Sequence, residues 1–350
     1  MSLLRPLALR AVTLVGVFFI VLLMLILTLG LTGYSDRILS ATVGEQIRAE
    51  RSGLAAKITN PDELENTLKQ RQAELEKVYG LDRPWYARTP ATVGKVLTLD
   101  LGEARSLRSS TGSNRVVDLV MERLPRTMLL LTTSLIITAT IGLILGVYMA
   151  TQAGTWLDRV MATFASVSFA IPTWWIGILL ILVLSVRWRI LPSGGMYSAP
   201  PPTEPFARFV DLLWHAALPV LTLVLVSIGP YVYGIRTLTL NIAQEDHVAI
   251  ARAKGLPESR VRNRHILRVA AAPIVTGLIF SLAGSLGGSI LVETVFNWQG
   301  MGRLYYDALA GTPDENVIVA LTFIFTLIYV GIRLLLEVVY VFLDPRVRYT

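Results

Sequence analysis

The strongest constraint on the fold is a set of long apolar segments that carry almost no charged side chain. Crossing about 30 Å of hydrocarbon takes roughly 20 helical residues. In lipid every backbone N–H and C=O must be satisfied within its own segment, so such runs predict helices. Six runs are long enough, and they are residues 11–35, 127–157, 160–186, 212–235, 269–292 and 316–343. The expected fold class is therefore an all-α membrane protein with six transmembrane helices.

The composition agrees with a membrane protein and excludes several kinds of site. Hydrophobic residues make up 53% of the 350-residue chain, and only 16% are charged, against roughly 25% in soluble domains. The net charge of +7 is typical of basic loops held on the cytoplasmic side, so we expect no nucleic-acid partner. With no cysteine and three scattered histidines, the chain is expected to hold no metal.

The distribution of basic residues predicts the orientation. Seven Lys and Arg residues lie between Arg236 and Arg268, whereas the short loops 187–211 and 293–315 are poorer in them. Short basic loops stay inside, which places both termini in the cytoplasm of a prokaryotic cell and the chain in its inner membrane. The first run is longer than the apolar core of a signal peptide, so it is expected to remain as an anchor.

These runs divide the chain into four parts. We expect residues 1–35 to hold the N-terminus and first helix, 36–126 to form an external segment, 127–343 to form the remaining five helices, and 344–350 to be a cytoplasmic tail. The external segment should contain a helix that Asn60 caps and Gly80 ends. A short amphipathic piece, residues 115–127, is expected at the membrane interface. In the last run, Arg333 and Glu337 stand four residues apart and are expected to pair.

The chain lacks the residues that an enzyme or a pump would need. No G-x-x-x-x-G-K-[ST] phosphate loop occurs, so ATP binding of that kind is not expected. Serines are common in the fifth run, but no histidine lies deep enough to act as their base. We therefore predict that this chain is not an enzyme and holds no cofactor.

Small and polar residues recur at four-residue spacing in the fifth run. Such a stripe allows close approach of another helix, and it also suits the lining of a solute path. The residues alone leave both interpretations open for Ser281, Ser285, Gly288 and Ser289. Prolines at 172, 219 and 230 are expected to kink the third and fourth helices.

A basic segment between the fourth and fifth runs, Glu245–Arg268, is here called the elbow. Its pattern predicts a helix over 245–254, a stop at Gly255 and a second helix over 258–268 that starts after Pro257. Val248 and Ala251 lie on the apolar side of the first helix. Positive-inside loops explain the charge, but a docking helix for a soluble partner also explains the apolar residues and the turn.

The elbow sequence DHVAIARAKGLPESRVRNRHILRVAAAP resembles the cytoplasmic loop of permease subunits of ATP-binding-cassette importers, specifically the dipeptide, oligopeptide and nickel branch. Ala251 and Gly255 match the last alanine and the glycine of the general E-A-A-x-x-x-G pattern. Ala249 and Ile250 depart from it. Similar blocks occur in order along the chain: YGLDRPWYAR, ERLPRTMLLLTTSLII, GTWLDRVMATFASVSFAIPTWW, ILPSGGM, ILVETVFNWQGMGRLYYDAL and LDPRVRY.

This resemblance implies a half-pore that works by alternating access. A second homologous permease, two cytoplasmic ATP-binding subunits and an external solute-binding protein would be its partners, besides membrane lipid. ATP and magnesium would be used by the ATP-binding subunits alone. The elbow (within a coupling loop over 236–268) would contact one ATP-binding subunit through Val248, Ala251, Arg252, Lys254, Gly255, Leu256, Pro257 and Glu258.

Peptides are the expected solute, with oligosaccharides or nickel complexes as the alternatives. A different class of function also fits the residues. In that alternative the chain is a membrane receptor or scaffold, whose elbow docks a signalling partner.

Overall fold

The computed structural model describes residues 4–56, 58, 60–88, 94, 98, 100–105, 107–310 and 313–343. Within those ranges the chain is mostly helical, and it forms no strand beyond one isolated bridge between Glu103 and Arg115. The prediction of an all-α fold is confirmed for this part of the chain. The tail 344–350 lies outside the described residues.

The helices follow one another along the chain with short connections. They are α1 Leu4–Leu31, α2 Tyr34–Ala55, α3 Pro61–Val78, α4 Val116–Thr151, α5 Trp156–Ala170, α6 Thr173–Leu180, α7 Pro205–Ala243 and α8 Asp246–Ala253. A continuous helix, α9, then runs through Glu258–Arg260, a π-helical stretch Val261–Leu267 and Arg268–Val295. The last two are α10 Met301–Leu309 and α11 Glu315–Leu343.

Four helices in the described ranges are long and apolar enough to cross a membrane, namely α4, α7, α9 and α11. A fifth span arises if α5 and the segment Thr173–Arg187 are counted together, although the chain bends by 101° between them. The bend follows Pro172, which stands just before α6. The expectation of one straight third helix was therefore wrong, because proline lacks the N–H that would continue the helix through this point. Pro219 and Pro230 lie inside the single helix α7.

One compact unit contains residues 123–304 and 328–350 with the first eleven residues. In it α7 packs along α5, and Gly229 brings the two backbones together, since a Cβ there would lie 2.8 Å from Ala165 Cα. An apolar cluster joins α4, α7 and the segments that flank them: Leu130, Met196, Ala216, Val220, Val224 and Trp298. Arg333 places its guanidinium 4.5 Å from the ring centre of Phe280, and the side chain of its expected partner Glu337 lies outside the described residues.

The second compact unit contains residues 12–122 and 305–327. In it the Asn60 side chain accepts the N–H of Asp62 at 3.0 Å, and Gly80 adopts the left-handed φ of 70° just beyond α3. The helix predicted between these residues is therefore confirmed. The amphipathic piece expected over 115–127 is not separate, because it forms the first turns of α4. Val116 and Leu119 are fully buried there, which is why the piece is not free to lie on a membrane surface.

Candidate functional site

The elbow begins where α7 ends and is built around one left-handed glycine. α8 spans Asp246–Ala253, and Gly255 has a φ of 71°. The N–H of Gly255 donates to the Arg252 carbonyl at 2.9 Å. Since only glycine adopts this φ without steric strain, the chain can reverse here and start α9 after Pro257. The predicted helix–glycine–helix arrangement is confirmed, but the second helix does not end at Arg268, because it continues directly into α9.

A buried apolar cluster, here called the elbow cluster, holds α8 against the start of α9 and the end of α7. Val248 and Val261 are fully buried, and Ala251 is 3% exposed. Burial of a valine side chain stabilises by about 1.5–3 kcal/mol, so these contacts hold the elbow in one position. The members are Ile242, Val248, Ala251, Val261, Ile266 and Ala270, with Leu238, Ala243, Leu256 and Ile274 at the edge.

The apolar side of α8 therefore faces the chain's own interior. Val248 and Ala251 are spent on internal packing, so they have no surface left with which to touch a partner. The remaining residues expected at a partner contact are exposed or half-buried: Arg252, Lys254, Gly255, Leu256, Pro257 and Glu258. Ile250, which the sequence analysis placed only beside the apolar stripe, is 54% exposed on the opposite side.

Polar contacts brace the turn from both sides. Arg252 Nε donates to Glu258 Oε1 at 2.8 Å, and its Nη1 donates to the Ala243 carbonyl at 3.2 Å. On the other side, His247 Nε2 lies 3.0 Å from the carbonyl oxygen of His265. The exposed Arg252–Glu258 pair contributes about 0.2–1 kcal/mol, so it orients the turn more than it stabilises it.

The π-helical stretch Val261–Leu267 has no counterpart in the sequence analysis. Such wider turns are rare and cluster at functional sites. Here the stretch buries Val261 and Ile266 in the elbow cluster, while the side chains of Arg260, Arg264 and Arg268 are exposed. No local sequence signal predicts a π-turn, because the same residues also fit an α-helix.

The small-residue stripe of the fifth run lies in α9 and divides into different surroundings. Ser281 is exposed, and Ser289 is 1% exposed and hydrogen-bonds the Glu293 carboxylate. The side chains of residues 282–288, and with them Ser285 and Gly288, lie outside the described residues. At Ser289 the stripe is therefore packed inside the unit.

A buried carboxylate, Glu293, organises the end of α9 and was missed by the sequence analysis. It is fully buried, accepts the Thr127 hydroxyl at 2.8 Å and accepts the N–H of Arg303 at 2.9 Å. Thr127 Oγ1 in turn accepts the N–H of Met301 at 2.7 Å. We call Thr127, Ser289, Glu293, Met301 and Arg303 the Glu293 network.

Two glycines make room for that carboxylate. A Cβ at Gly300 would lie 2.4 Å from Glu293 Oε2, and one at Gly302 would lie 2.7 Å from the Ile290 Cα. The carboxylate thus reaches the first N–H groups of α10, where negative charge is favourable. A glutamate at the end of an apolar run, followed by G-x-G and a short helix, was the available signal. Within the described ranges no group of three or more His, Cys, Asp or Glu is placed to hold a metal ion.

Comparison with known proteins places this geometry among membrane transport components. Residues 142–349, more than half of the chain, match the model of the family described as the inner membrane component of binding-protein-dependent transport systems. The chain is 33% identical over 279 residues to the oligopeptide transport system permease protein AppB of Bacillus subtilis, which covers 80% of this chain and 85% of the relative.

Two further relatives cover a similar share. The glutathione transport system permease protein GsiC of Escherichia coli is 33% identical over 270 residues, 77% of this chain and 82% of the relative. The dipeptide transport system permease protein DppB of Escherichia coli is 29% identical over 297 residues, 80% of this chain and 86% of the relative.

Proposed function

The chain belongs to the family of inner membrane components of binding-protein-dependent transport systems, and we propose that it forms half of the translocation path of a peptide importer. The observation that carries the proposal is the elbow, which combines an internally packed α8 with an exposed basic surface. A rigid knob of this kind can transmit force from a soluble partner, because its buried side keeps it attached to α7 and α9.

In this proposal the chain crosses the membrane six times. The spans are α1, α4, the bent pair of α5 with Thr173–Arg187, α7, α9 and α11. The bent pair counts as one broken span, and both termini then lie on the cytoplasmic side together with the basic elbow. Residues 36–126 form the external segment, and 344–350 the cytoplasmic tail.

The elbow docks on a separate ATP-binding subunit, which supplies the energy. Ile250 is the apolar anchor of the contact, and Leu256 at the turn extends it. Arg252, Lys254, Gly255, Pro257 and Glu258 form its rim, as in interfaces whose centre is apolar and whose edge is polar. Val248 and Ala251 act from beneath by holding the surface in place. ATP and magnesium are bound by the partners, whose closure moves two such elbows and rocks the spans.

A second homologous permease completes the pore. In the apolar stretch of α9, 11% of the residues are buried within the chain, against 28%, 39% and 44% in the corresponding stretches of α4, α7 and α11. A span with so little cover from its own chain, and with exposed Ser281 on it, is suited to pack on another permease or to line the path. The remaining stripe positions Ser285, Gly288 and Ser289 belong to the same proposal, with Ser289 in the packed part.

Peptides are the proposed solute, because the relatives described above are named for oligopeptide, dipeptide and glutathione transport. An external solute-binding protein would deliver them. Oligosaccharides or nickel complexes are the alternative solutes for the same machinery. The receptor or scaffold is the alternative function, and the identity of the elbow's partner distinguishes it.

Cysteine cross-linking tests the docking, since the chain has no cysteine of its own. Ile250→Cys, in native membranes with a short bifunctional reagent, should capture a subunit that carries the phosphate loop G-x-x-x-x-G-K-[ST]. Glu65→Cys on α3, equally exposed but in the external segment, is the matched control and should not capture it. Capture of a partner without that loop at position 250 would favour the scaffold alternative.

A substitution at the turn tests the coupling itself. Leu256→Asp places a charge at the apolar contact, so the chain should still insert while ATP-dependent uptake of labelled trialanine falls at least about fivefold. The elbow's only half-buried apolar residue at the turn is then replaced without touching the elbow cluster's fully buried members. Unchanged uptake alongside intact cross-linking at position 250 would contradict the assignment of Leu256.

A further inference from the structure

An ion pair joins two helices that are far apart in sequence, at the inner part of the first compact unit. Asp158, in the first turn of α5, is 5% exposed. Arg236, on α7, donates from Nε to one carboxylate oxygen and from Nη2 to the other. Such a two-pronged pair fixes orientation as well as distance.

The carboxylate is also held from its own side. Asp158 Oδ2 accepts the N–H of Gly154 at 2.9 Å, and Gly154 has a left-handed φ of 81°. The side chain of Thr155 caps the helix by accepting the N–H of Asp158 at 3.3 Å. The Arg236 guanidinium therefore binds a rigid turn between α4 and α5, with little freedom on the acidic side.

On the basic side the pair is continuous with the elbow. α7 runs without interruption to Ala243, and Leu238 and Ile242, two and six residues after Arg236, belong to the elbow cluster or its edge. A displacement of the elbow is thus a displacement of Arg236. On the acidic side, α5 continues from Asp158 to Ala170, where the chain bends by 101°.

A second contact between these helices lies further along them. A Cβ at Gly229 would lie 2.8 Å from Ala165 Cα, seven residues before Arg236, or roughly 10 Å along the helix. That contact is apolar and close-packed, so it allows α5 and α7 to pivot about it. The ion pair is the contact that ties their ends together on the elbow side.

We propose that Asp158 and Arg236 are positioning residues that make α5 move with the elbow, so that the bent pair α5–α6 follows the ATP-driven motion. This inference rests on the proposed function. Removal of either partner leaves an uncompensated charge in a buried place. The first effect would be a loose link between α7 and α5, with ATP hydrolysis no longer transmitted to the bend.

Distance measurements between spin labels test the link without a solute. Cysteines at Lys254 on the elbow and Val167 on α5 are both exposed, and the chain offers no competing cysteine. The complex with its ATP-binding partners is measured without nucleotide and with ATP and vanadate. With the pair intact, the distance should stay the same in the two states. With Asp158→Asn or Arg236→Gln it should shift or broaden by several ångströms.

Uptake of labelled trialanine per ATP hydrolysed is the second readout, and it should fall at least about fivefold in both variants. The double variant Asp158→Arg, Arg236→Asp should recover part of that loss. Arg159→Gln removes a charge from the adjacent exposed residue and should leave both readouts unchanged. If a single variant does not assemble, Arg236→Lys carries the test, because it keeps the charge but loses the two-pronged geometry and should give an intermediate result.

Equal nucleotide responses of the labels in the intact chain and in all pair variants would overturn the inference. So would a distance that already changes with ATP in the intact chain, or variants that lose only assembly while Arg236→Lys couples fully. Failure of the proposed function is seen separately, since the intact chain would then not associate with any ATP-binding subunit.

Discussion

The two ends of α9 are stabilised in opposite ways. At its start, Val261 and Ile266 bury apolar surface while the arginines around them are exposed. At its end, Glu293 is fully buried and its charge is answered by a hydroxyl and backbone N–H groups. The start is a surface suited to contact a partner, whereas the end is an internal joint. One helix therefore carries a docking surface at one end and a buried polar anchor at the other.

The largest effect is expected at the buried carboxylate. Glu293→Ala leaves the Thr127 hydroxyl and the N–H of Arg303 without their acceptor, so the free energy of unfolding should fall by about 3–5 kcal/mol. Glu258→Ala, at the exposed start of the same helix, should lower it by less than about 1 kcal/mol. Thermal unfolding of the solubilised protein compares the two. Equal effects at the two ends would refute the contrast drawn here.

A smaller effect is expected inside the elbow. Val248→Ala removes buried apolar surface, so the elbow should open more readily, by about 1–2 kcal/mol. Ile250→Ala, two residues away on the exposed side, should leave hydrogen exchange of α8 unchanged and weaken binding of the ATP-binding subunit. Hydrogen exchange and co-purification together sharpen the distinction between the supporting and the contacting side. If Val248→Ala weakens co-purification without faster exchange, then Val248 is itself a contact.

The smallest effect is expected at the turn. Gly255→Val forces a branched side chain into a left-handed conformation and should lower the local stability of the elbow by about 1–2 kcal/mol. Gly255→Asn keeps a residue that tolerates this conformation, so most of the stability should return. Proteolysis at Lys254 in native membranes reports the difference. Equal cleavage of the two variants would show that conformation at this position does not control the elbow.

Prediction from sequence succeeded where a property is local. Apolar run length predicted helices, and Asn60, Gly80 and Gly255 marked ends that the structure has at the same places. It failed where a property depends on a distant neighbour. The bend after Pro172 was expected only as a kink, and the piece 115–127 was expected as a separate helix although it begins α4.

The candidate site shows the same division. Helical spacing correctly grouped Val248 with Ala251, but grouping does not say what covers the group, and the cover proved to be the chain itself. The Glu293 network was missed because a single glutamate beside an apolar run has no periodicity to reveal it. The positions Ser285 and Gly288 remain predictions.

The sequence by itself determined that this is a membrane chain of apolar helices with a basic elbow at a glycine turn, because hydrophobic run length, charge and left-handed φ act on neighbouring residues. Only the tertiary structure decided that Val248 points inward while Ile250 points outward, and that Asp158 meets Arg236 across 78 residues. Those outcomes depend on which helices pack together, and packing between distant segments leaves no pattern in either segment alone.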